Sequence, residues 1–223
     1  MTVLGIETST EVCSVGLADE QGRTKERSLV ESRIHSEKLL TLVRQVCEDG
    51  NTVLGNIDGV AISIGPGSFT GLRIGLSSAK GLCYALEKPI LAVPTFQAVA
   101  ESIIAERTGT TGILVCVDAK QGDFYVGTYK AAGGRAVMVE DVQIRKLGEI
   151  AGLMDAKQVV LTDRVQQVGP LAGVDVSCSE VHTYYRGDSV ARIGLRKLLA
   201  RDVSDLASLE PRYLKDFIVR PLP

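Results

Sequence analysis

The chain has 223 residues, with 25 Lys and Arg against 27 Asp and Glu. The resulting net charge of −2 argues against a stand-alone nucleic-acid-binding protein, which normally presents a strongly basic face. A hydrophobic content of 45% and a charged content of 23% are typical of a folded globular protein. The two histidines, His35 and His182, cannot build a His-rich zinc motif such as H-E-x-x-H, so metallopeptidase chemistry of that type is excluded.

Cysteine usage and hydropathy indicate a cellular compartment. The five cysteines form an odd set without a C-x-x-C pair, which favours reduced cysteines and a cytoplasmic location over a disulfide framework. The N-terminus has no basic region before its short apolar stretch, so a signal peptide is not predicted. No apolar run approaches the roughly 20 residues of a membrane-spanning helix, so we expect no membrane association.

Hydrophobic periodicity predicts an α/β protein in which each half begins with three strands. The predicted strands of the first half are Thr2–Ile6, Val12–Ala18, Thr24–Val30, Val60–Ile64 and Ile90–Val93, and its helices are Ser36–Cys47, Leu72–Leu86 and Thr95–Ala105. The second half is predicted to contain strands Ile113–Val117, Phe124–Tyr129, Ala136–Val142 and Gln158–Thr162, and helices Lys146–Met154 and Ser189–Ala200. This order favours mixed sheets covered by helices.

A shift of 111 residues lays the start of the second half on the start of the first. It places Ile6-Glu7 on Val117-Asp118 and Gly22 on Gly133, with an acidic residue ending the first strand of each half. We interpret this as an internal duplication joined near residues 106–112. The predicted subdomains are residues 1–106 and 107–223, with the last residues packing back on the first subdomain. The tail Pro211–Pro223 is expected to lie across the surface.

The most distinctive motif is the glycine-rich segment Gly65–Gly75, which follows a predicted buried strand and opens a helix. It is neither a Walker A loop nor a G-x-G-x-x-G fingerprint, because no Gly-Lys-Ser/Thr follows and Thr70 replaces the third glycine. The free N–H groups of a helix N-terminus can bind an anion. A tight structural turn, capped by Ser68 or Thr70, explains the same residues.

Two carboxylates at the ends of the first strands, Glu7 and Asp118, could face one cleft and hold a metal–nucleotide complex. The alternative is that hairpin amides and hydroxyls satisfy both groups. The candidates for nucleotide or anion binding are Glu7, Thr8, Gly67, Ser68 and Asp118. ATP or ADP binding stays open on these residues, whereas no metal-binding or catalytic set emerges. His35 and His182 are interpreted as capping or surface residues.

Five segments together resemble the TsaB (YeaZ) family, bacterial proteins needed to make N6-threonylcarbamoyladenosine in tRNAs that read codons starting with A. These segments are Ile6–Thr10, His35–Glu37, Gly65–Gly75, Asp118–Tyr125 and Pro211–Leu214. The likeness runs over nearly the whole chain, and the glycine-rich segment is its most specific part. The resemblance implies the actin-like ATPase (ASKHA, ribonuclease H-like) fold, with two related α/β subdomains.

The resemblance also implies a role beside two partners, the catalytic relative TsaD and the ATPase TsaE. TsaD transfers the threonylcarbamoyl group to the tRNA adenine and binds metal through a His-x-x-x-His pair. The comparable stretch here, Pro94–Val99, contains no histidine. We therefore expect a non-catalytic accessory subunit that binds TsaD, forms a homodimer when alone and meets tRNA only indirectly. Arg192, Arg196, Lys197 and Arg201 could assist tRNA contact, although a solvated helix face is the simpler explanation.

The expected partner surface lies on the helices Ser36–Cys47 and Leu72–Leu86. Its residues are Leu40, Val43, Cys47, Gly71, Gly75, Ser78 and Leu82. On this hypothesis Gly75→Glu abolishes complex formation and leaves the isolated fold intact. The alternative function is an ASKHA kinase or hydrolase that uses the interdomain cleft, for which calorimetry should detect ATP–magnesium binding that is lost in Asp118→Asn.

Overall fold

The computed structural model of the protein describes residues 1–31, 33–155, 158–172 and 181–215. The first half forms a five-stranded sheet in the order β3-β2-β1-β4-β5. Its strands are β1 (Thr2–Glu7), β2 (Val12–Asp19), β3 (Thr24–Val30), β4 (Gly59–Ser63) and β5 (Ile90–Val93). Strands β1 to β3 form an antiparallel meander, and β4 and β5 run parallel to β1.

Helices α1 (His35–Asp49) and α2 (Phe69–Leu86) pack together on the first sheet. Leu39, Val43 and Val46 of α1 recur at helical spacing, so they lie on one face and join the buried apolar cluster of the sheet. A third helix, α3 (Thr95–Glu106), follows β5. Burial of one face of each helix accounts for most of its stability, because helices of this length are marginal in water on their own.

The second half repeats this arrangement with four strands in the order β8-β7-β6-β9. Its elements are β6 (Gly112–Asp118), β7 (Asp123–Ala132), β8 (Arg135–Lys146), α4 (Leu147–Ile150), β9 (Gln158–Thr162), α5 (Val165–Ala172) and α6 (Gly187–Leu199). Single 3₁₀ turns lie at Leu54–Asn56, Ala151–Leu153 and Val181–Tyr184. The duplicated α/β architecture expected from the sequence is confirmed, since equivalent strands occupy equivalent places in the two sheets.

The structure differs from the predicted elements in two places. Residues up to Lys146 continue β8, so the predicted helix Lys146–Met154 shrinks to α4 and one 3₁₀ turn. Helix α5 was not predicted, because Gly169 and Pro170 within it are helix-breaking residues in sequence terms. Of the C-terminal tail, only residues 211–215 lie within the described part of the chain.

Packing crosses the sequence boundary between the two halves. Helix α3 belongs to the first half by sequence but packs on β6, β7 and β8, whereas α6 of the second half packs on all five strands of the first sheet. The two helices also meet each other: the hydroxyls of Ser102 and Ser189 lie 2.7 Å apart, and Arg196 pairs with Glu101 at 2.5 Å. Each half therefore supplies one covering helix to the other half's sheet.

The contact of α6 with the first sheet is unusually close. Gly5 and Gly16 are cross-strand partners on β1 and β2. A Cβ atom on Gly5 would lie 2.2 Å from the carbonyl oxygen of Gly187, and one on Gly16 would lie 2.2 Å from the backbone nitrogen of Asp188. The first turn of α6 thus rests directly on the backbone of the sheet, which only glycine at these strand positions permits.

No helix within the described ranges is both long enough and apolar enough to cross a membrane.

This packing predicts that Gly16→Ala lowers the free energy of unfolding by about 3 kcal/mol, at the upper end of overpacking effects, because the new methyl group meets rigid backbone. Urea unfolding followed by circular dichroism measures the change. The matched control is Gly148→Ala in α4, where no atom lies within 4 Å of the added Cβ. Equal stability of both variants would contradict the close docking of α6.

Candidate functional site

A cleft of about 960 Å³ opens between the two halves, within the size range of small-molecule sites. Ser9 of the β1–β2 turn and Ser68 before α2 line the side of the first half. Asp118, at the end of β6, and Tyr185, before α6, line the side of the second half. The duplication produces this geometry, because it places the ends of β1 and β6 on either side of one opening.

Glu7 ends β1 but is fully buried and does not line the cleft. Its Oε1 atom accepts a hydrogen bond from the backbone N–H of Ser9 at 2.6 Å. Burial raises the pKa of Glu7 above its ordinary value, and the nearby Ser9 and Ser63 hydroxyls act in the opposite direction. The carboxyl group is therefore held inside the first half and is not presented to a ligand.

The glycine-rich segment closes tightly over the turn that follows β1. The Thr8 hydroxyl donates to the carbonyl oxygen of Gly71 at 2.9 Å, and the backbone N–H of Ser68 donates to the carbonyl oxygen of Ser9 at 2.6 Å. The Ser68 hydroxyl accepts from the backbone N–H of Gly71 at 3.3 Å and caps α2, as one of the two sequence interpretations predicts. The segment is thus a close-packed turn, which leaves no room for a phosphate between α2 and Thr8.

Asp118 lines the cleft, but its oxygens already have cationic partners. Arg164, which precedes α5, pairs with Oδ2, and the Lys120 ammonium lies 3.1 Å from the same atom. The Lys120 backbone N–H donates to Oδ1 at 2.8 Å. Partial burial raises the pKa of Asp118, but the Arg164 and Lys120 hydrogen bonds outweigh it and lower this pKa to about 2. The carboxylate is therefore ionised and neutralised by the chain itself.

The surroundings of Glu7 and Asp118 determine whether these carboxylates could hold a magnesium–nucleotide complex. Glu7 is sealed off, and a metal ion at Asp118 would have to displace the Arg164 guanidinium. Within the described segments, no three or more His, Cys, Asp or Glu side chains are grouped as metal ligands. The residues present do not fit a metal–nucleotide group of the actin-like type, and we derive no chemistry through one.

Each of the two histidines contacts a residue of the β1–β2 region. His35 is buried, and its Nε2 atom lies 3.1 Å from the carbonyl oxygen of Val12, so it ties α1 to β2. His182 lies 2.9 Å from Glu11 and joins the two halves at the cleft. In the stretch Pro94–Val99, which was compared with the TsaD histidine pair, Thr95 and Val99 are fully buried.

The seven residues expected at a partner surface separate into two groups. Val43 and Cys47 are buried against the sheet, and a Cβ on Gly71 or Gly75 would lie 2.1 Å from atoms of Thr8. These four residues face the interior of the chain. Only the remaining three are accessible: Leu40 is 61% exposed, and Ser78 and Leu82 are half-buried. The expectation that Gly75→Glu leaves the isolated fold intact is therefore wrong, because the new side chain would clash with Thr8 and disrupt the fold.

Sequence reasoning missed Arg164, the residue that neutralises Asp118. The signal was present in the duplication, because β9 has in the second sheet the place that β4 has in the first, and Thr162 and Ser63 end these two strands. The residues after β9 therefore had to reach the same cleft as the glycine-rich segment after β4. The shift of 111 residues did not show that Arg164 reaches the cleft. Helix α4 has four residues where α1 has fifteen, so the shift that aligns the first strands of the two halves no longer aligns β9 with β4.

Comparison with known proteins identifies the family. Residues 29–216 match a family model described as TsaD: tRNA N6-adenosine threonylcarbamoyltransferase. The chain is 35% identical over 130 residues to the tRNA threonylcarbamoyladenosine biosynthesis protein TsaB of Escherichia coli. That match covers 58% of this chain and 55% of the relative. The chain belongs to this family, in its TsaB (YeaZ) branch.

Further relatives agree with this assignment. TsaB of Bacillus subtilis is 30% identical over 135 residues, covering 60% of this chain and 57% of the relative. The chain thus spans little more than half the length of the curated TsaB proteins that it matches. The solved structure of YeaZ from Pseudomonas aeruginosa superposes with a TM-score of 0.83 at 26% identity, over 96% of this chain and 99% of that one.

A more distant structure shows the fold alone. The activator of 2-hydroxyisocaproyl-CoA dehydratase from Clostridium difficile, solved with bound ADPNP, superposes with a TM-score of 0.52 at 7% identity. It covers 93% of this chain and 100% of the activator. The chain therefore has the actin-like ATPase fold of the TsaB (YeaZ) branch, with Glu7 buried outside the cleft and Asp118 paired within it.

The Asp118 ion pair predicts a pH-dependent effect of Arg164→Gln. Because the pKa of Asp118 is depressed in the folded state, its stabilising contribution is complete above about pH 4 and is lost as the pH falls towards 2. The variant should lose on the order of 1 kcal/mol at pH 6 and almost nothing near pH 2. Urea unfolding at both pH values measures this difference.

Lys120→Gln is the matched control, because it removes an exposed cation and keeps the backbone hydrogen bond to Asp118. Its effect at pH 6 should be smaller than that of Arg164→Gln. An equal loss at pH 2 and pH 6 in Arg164→Gln would show that packing, not charge, links Arg164 to Asp118.

Proposed function

We propose that this chain is a non-catalytic accessory subunit in the biosynthesis of N6-threonylcarbamoyladenosine in tRNA, and that it acts by binding a TsaD-like catalytic subunit. The TsaB relatives and the TsaD family match support the pathway. The observation that carries the accessory role concerns the two carboxylates that end β1 and β6. Glu7 is buried away from the cleft, and Asp118 is paired with Arg164 and Lys120. The same observation disfavours the kinase or hydrolase alternative.

The outer side of α1 and α2 is the proposed contact surface for the TsaD-like subunit. Leu40 on α1 is 61% exposed, and Tyr84 on α2 is 82% exposed. Ser77, Gly81 and Tyr84 recur on the outer side of α2 at a spacing of three to four residues. Exposed large apolar and aromatic side chains beside small residues are typical of protein–protein interfaces.

Gly81 strengthens this assignment. It lies in the interior of α2, yet no atom of the described residues lies within 4 Å of a Cβ built on it. Glycine costs a helix about 1 kcal/mol relative to alanine, and Gly81, unlike Gly71 and Gly75, makes no close contact with any of those residues. Close approach of a partner's backbone at this point explains why no side chain is present.

The same surface is the proposed site of a homodimer when the chain is alone, and a TsaE-like ATPase is the proposed third member of the complex.

The charges on α6 fit indirect contact with tRNA, because its basic side chains are already paired with carboxylates: Arg192 with Asp188, Arg196 with Glu101 and Lys197 with Asp202. We also propose a cytoplasmic location, since the four described cysteines are all buried and the sequence contains no C-x-x-C pair.

Gly81→Gln tests the surface without disturbing the fold. Because the site is open, the helix-favouring glutamine should leave the free energy of unfolding unchanged or raise it by about 0.5–1 kcal/mol. Its side chain should weaken the complex with the TsaD-like subunit at least tenfold, as measured by analytical ultracentrifugation of the mixed proteins. Gly148→Gln in α4 is the matched control, because no described atom lies within 4 Å of an added Cβ there either, and it should retain the binding. Wild-type affinity in Gly81→Gln would exclude this surface.

The pathway itself is tested by a tRNA modification assay with the TsaD-like and TsaE-like proteins, run with and without this chain. We expect threonylcarbamoyladenosine to form only in its presence, and Gly81→Gln to reduce the yield in parallel with binding. Full activity without the chain would contradict the proposed role.

A further inference from the structure

A second groove, of about 490 Å³, lies beside the cleft and is lined on one side by the C-terminal strap, which we define as residues 211–215. The strap crosses from one half to the other. The backbone N–H of Arg212 donates to the carbonyl oxygen of Ile64 at 2.7 Å, whereas the Arg212 guanidinium forms two hydrogen bonds to Asp141 of β8. The Lys215 ammonium donates to the carbonyl oxygens of Ala119 and Lys120.

Every titratable acid or base that lines this groove, apart from tyrosine, is cationic. These residues are Arg73, Lys120, Arg212 and Lys215. The last three are paired with carboxylates that do not line the groove. In the described segments Arg73 is paired with no carboxylate, and its Nε atom donates to the Tyr213 hydroxyl at 2.9 Å. The groove therefore favours an anionic ligand near Arg73, and the adjoining N-terminus of α2 adds to this preference.

Aromatic side chains are concentrated in the same place. Phe, Tyr and Trp form only 4% of the chain, yet Phe69, Tyr125 and Tyr213 are among the twelve residues that line this groove. The rings of Phe69 and Tyr213 lie 5.0 Å apart, and the Arg73 guanidinium lies 3.9 Å from the centre of the Phe69 ring. A half-exposed ring next to a planar guanidinium is a surface on which a nucleobase stacks.

We propose that this groove binds one nucleotide of a single-stranded RNA segment, with its base on Tyr213 and Arg73 and its phosphates towards the lining cations. The aromatic residues favour a nucleotide over an acidic peptide, which offers no ring to stack. Within the described segments Arg73 is the one lining cation without a carboxylate partner, and a single such charge suits the one negative charge of each RNA phosphodiester better than the doubly charged phosphate of a free mononucleotide. The biological source of this RNA rests on the proposed function, whereas the binding chemistry does not. The groove adds a direct RNA contact to the indirect one expected from the net charge.

Fluorescence anisotropy of a labelled single-stranded RNA of about ten nucleotides, titrated with the full chain at low salt, tests the proposal. Tyr213→Ala should weaken binding at least fivefold, and Tyr213→Phe, which keeps the ring, should retain most of it. Arg73→Gln should weaken binding and reduce the salt dependence by about one ion. Leu199→Ala is the control and should bind RNA like the wild type, because Leu199 is a large side chain that is 52% exposed at the end of α6 and lies outside the groove.

Competition identifies the ligand. Unlabelled RNA should displace the probe at least ten times more effectively than AMP, and a glutamate-rich peptide should not displace it. Absence of RNA binding, equal competition by AMP or by the peptide, or wild-type binding in Tyr213→Ala would each overturn the proposal.

The complex assay separates this outcome from the proposed function. Tyr213→Ala should bind the TsaD-like subunit normally and lose RNA, whereas Gly81→Gln should lose the subunit and retain RNA. Loss of both activities in Tyr213→Ala, with native circular dichroism, would contradict an independent groove.

Discussion

The architecture depends on one backbone-to-backbone contact, the docking of the first turn of α6 on the paired glycines Gly5 and Gly16. Because Gly5 and Gly16 carry no side chain, the backbone of Gly187 and Asp188 lies closer to the sheet than it could if either position carried a Cβ atom. Ser14 reinforces the contact, since its hydroxyl accepts from the backbone N–H of Gly187 at 2.9 Å. The contact links the end of the chain to its first two strands, so neither half is complete without the other.

The exchange of α3 and α6 sets the relation between the two sheets and thereby the cleft between them. In such a duplicated fold the ends of β1 and β6 face a shared opening, where an enzyme would place carboxylates on a metal–nucleotide complex. Here the chain uses both groups internally. Glu7 is sealed beneath the turn after β1, where its burial costs folding free energy, and Asp118 is held by Arg164 and Lys120, so the fold is retained although neither acid is presented to a ligand.

Residues that have no packing or ion-pairing role among the described residues indicate where ligands or partners bind. Among the described residues, no atom lies within 4 Å of a Cβ built on Gly81, and Tyr84, on the same outer side of α2, is 82% exposed. Arg73 is supported by Phe69 and Tyr213 but has no carboxylate partner in the segments that the structure describes. One helix therefore carries two surfaces, an aromatic and cationic groove near its N-terminus and a small-residue surface near its C-terminus. These positions suit a protein that joins a catalytic subunit to its RNA substrate.

The sequence alone determined the order of elements, the three-stranded start of each half and the duplication, because alternating and helical hydrophobic patterns are local. It also determined that Ser68 could cap α2 and that no His-rich metal site could form. Tertiary structure decided which glycines of α2 serve packing: Gly71 and Gly75 face Thr8, whereas Gly81 meets no atom of the described residues. It also decided the partner of Asp118, because Arg164 is distant in sequence and reaches the cleft only when β9 pairs with β6. Burial and charge pairing depend on contacts between distant segments, and a local pattern contains no information about those contacts.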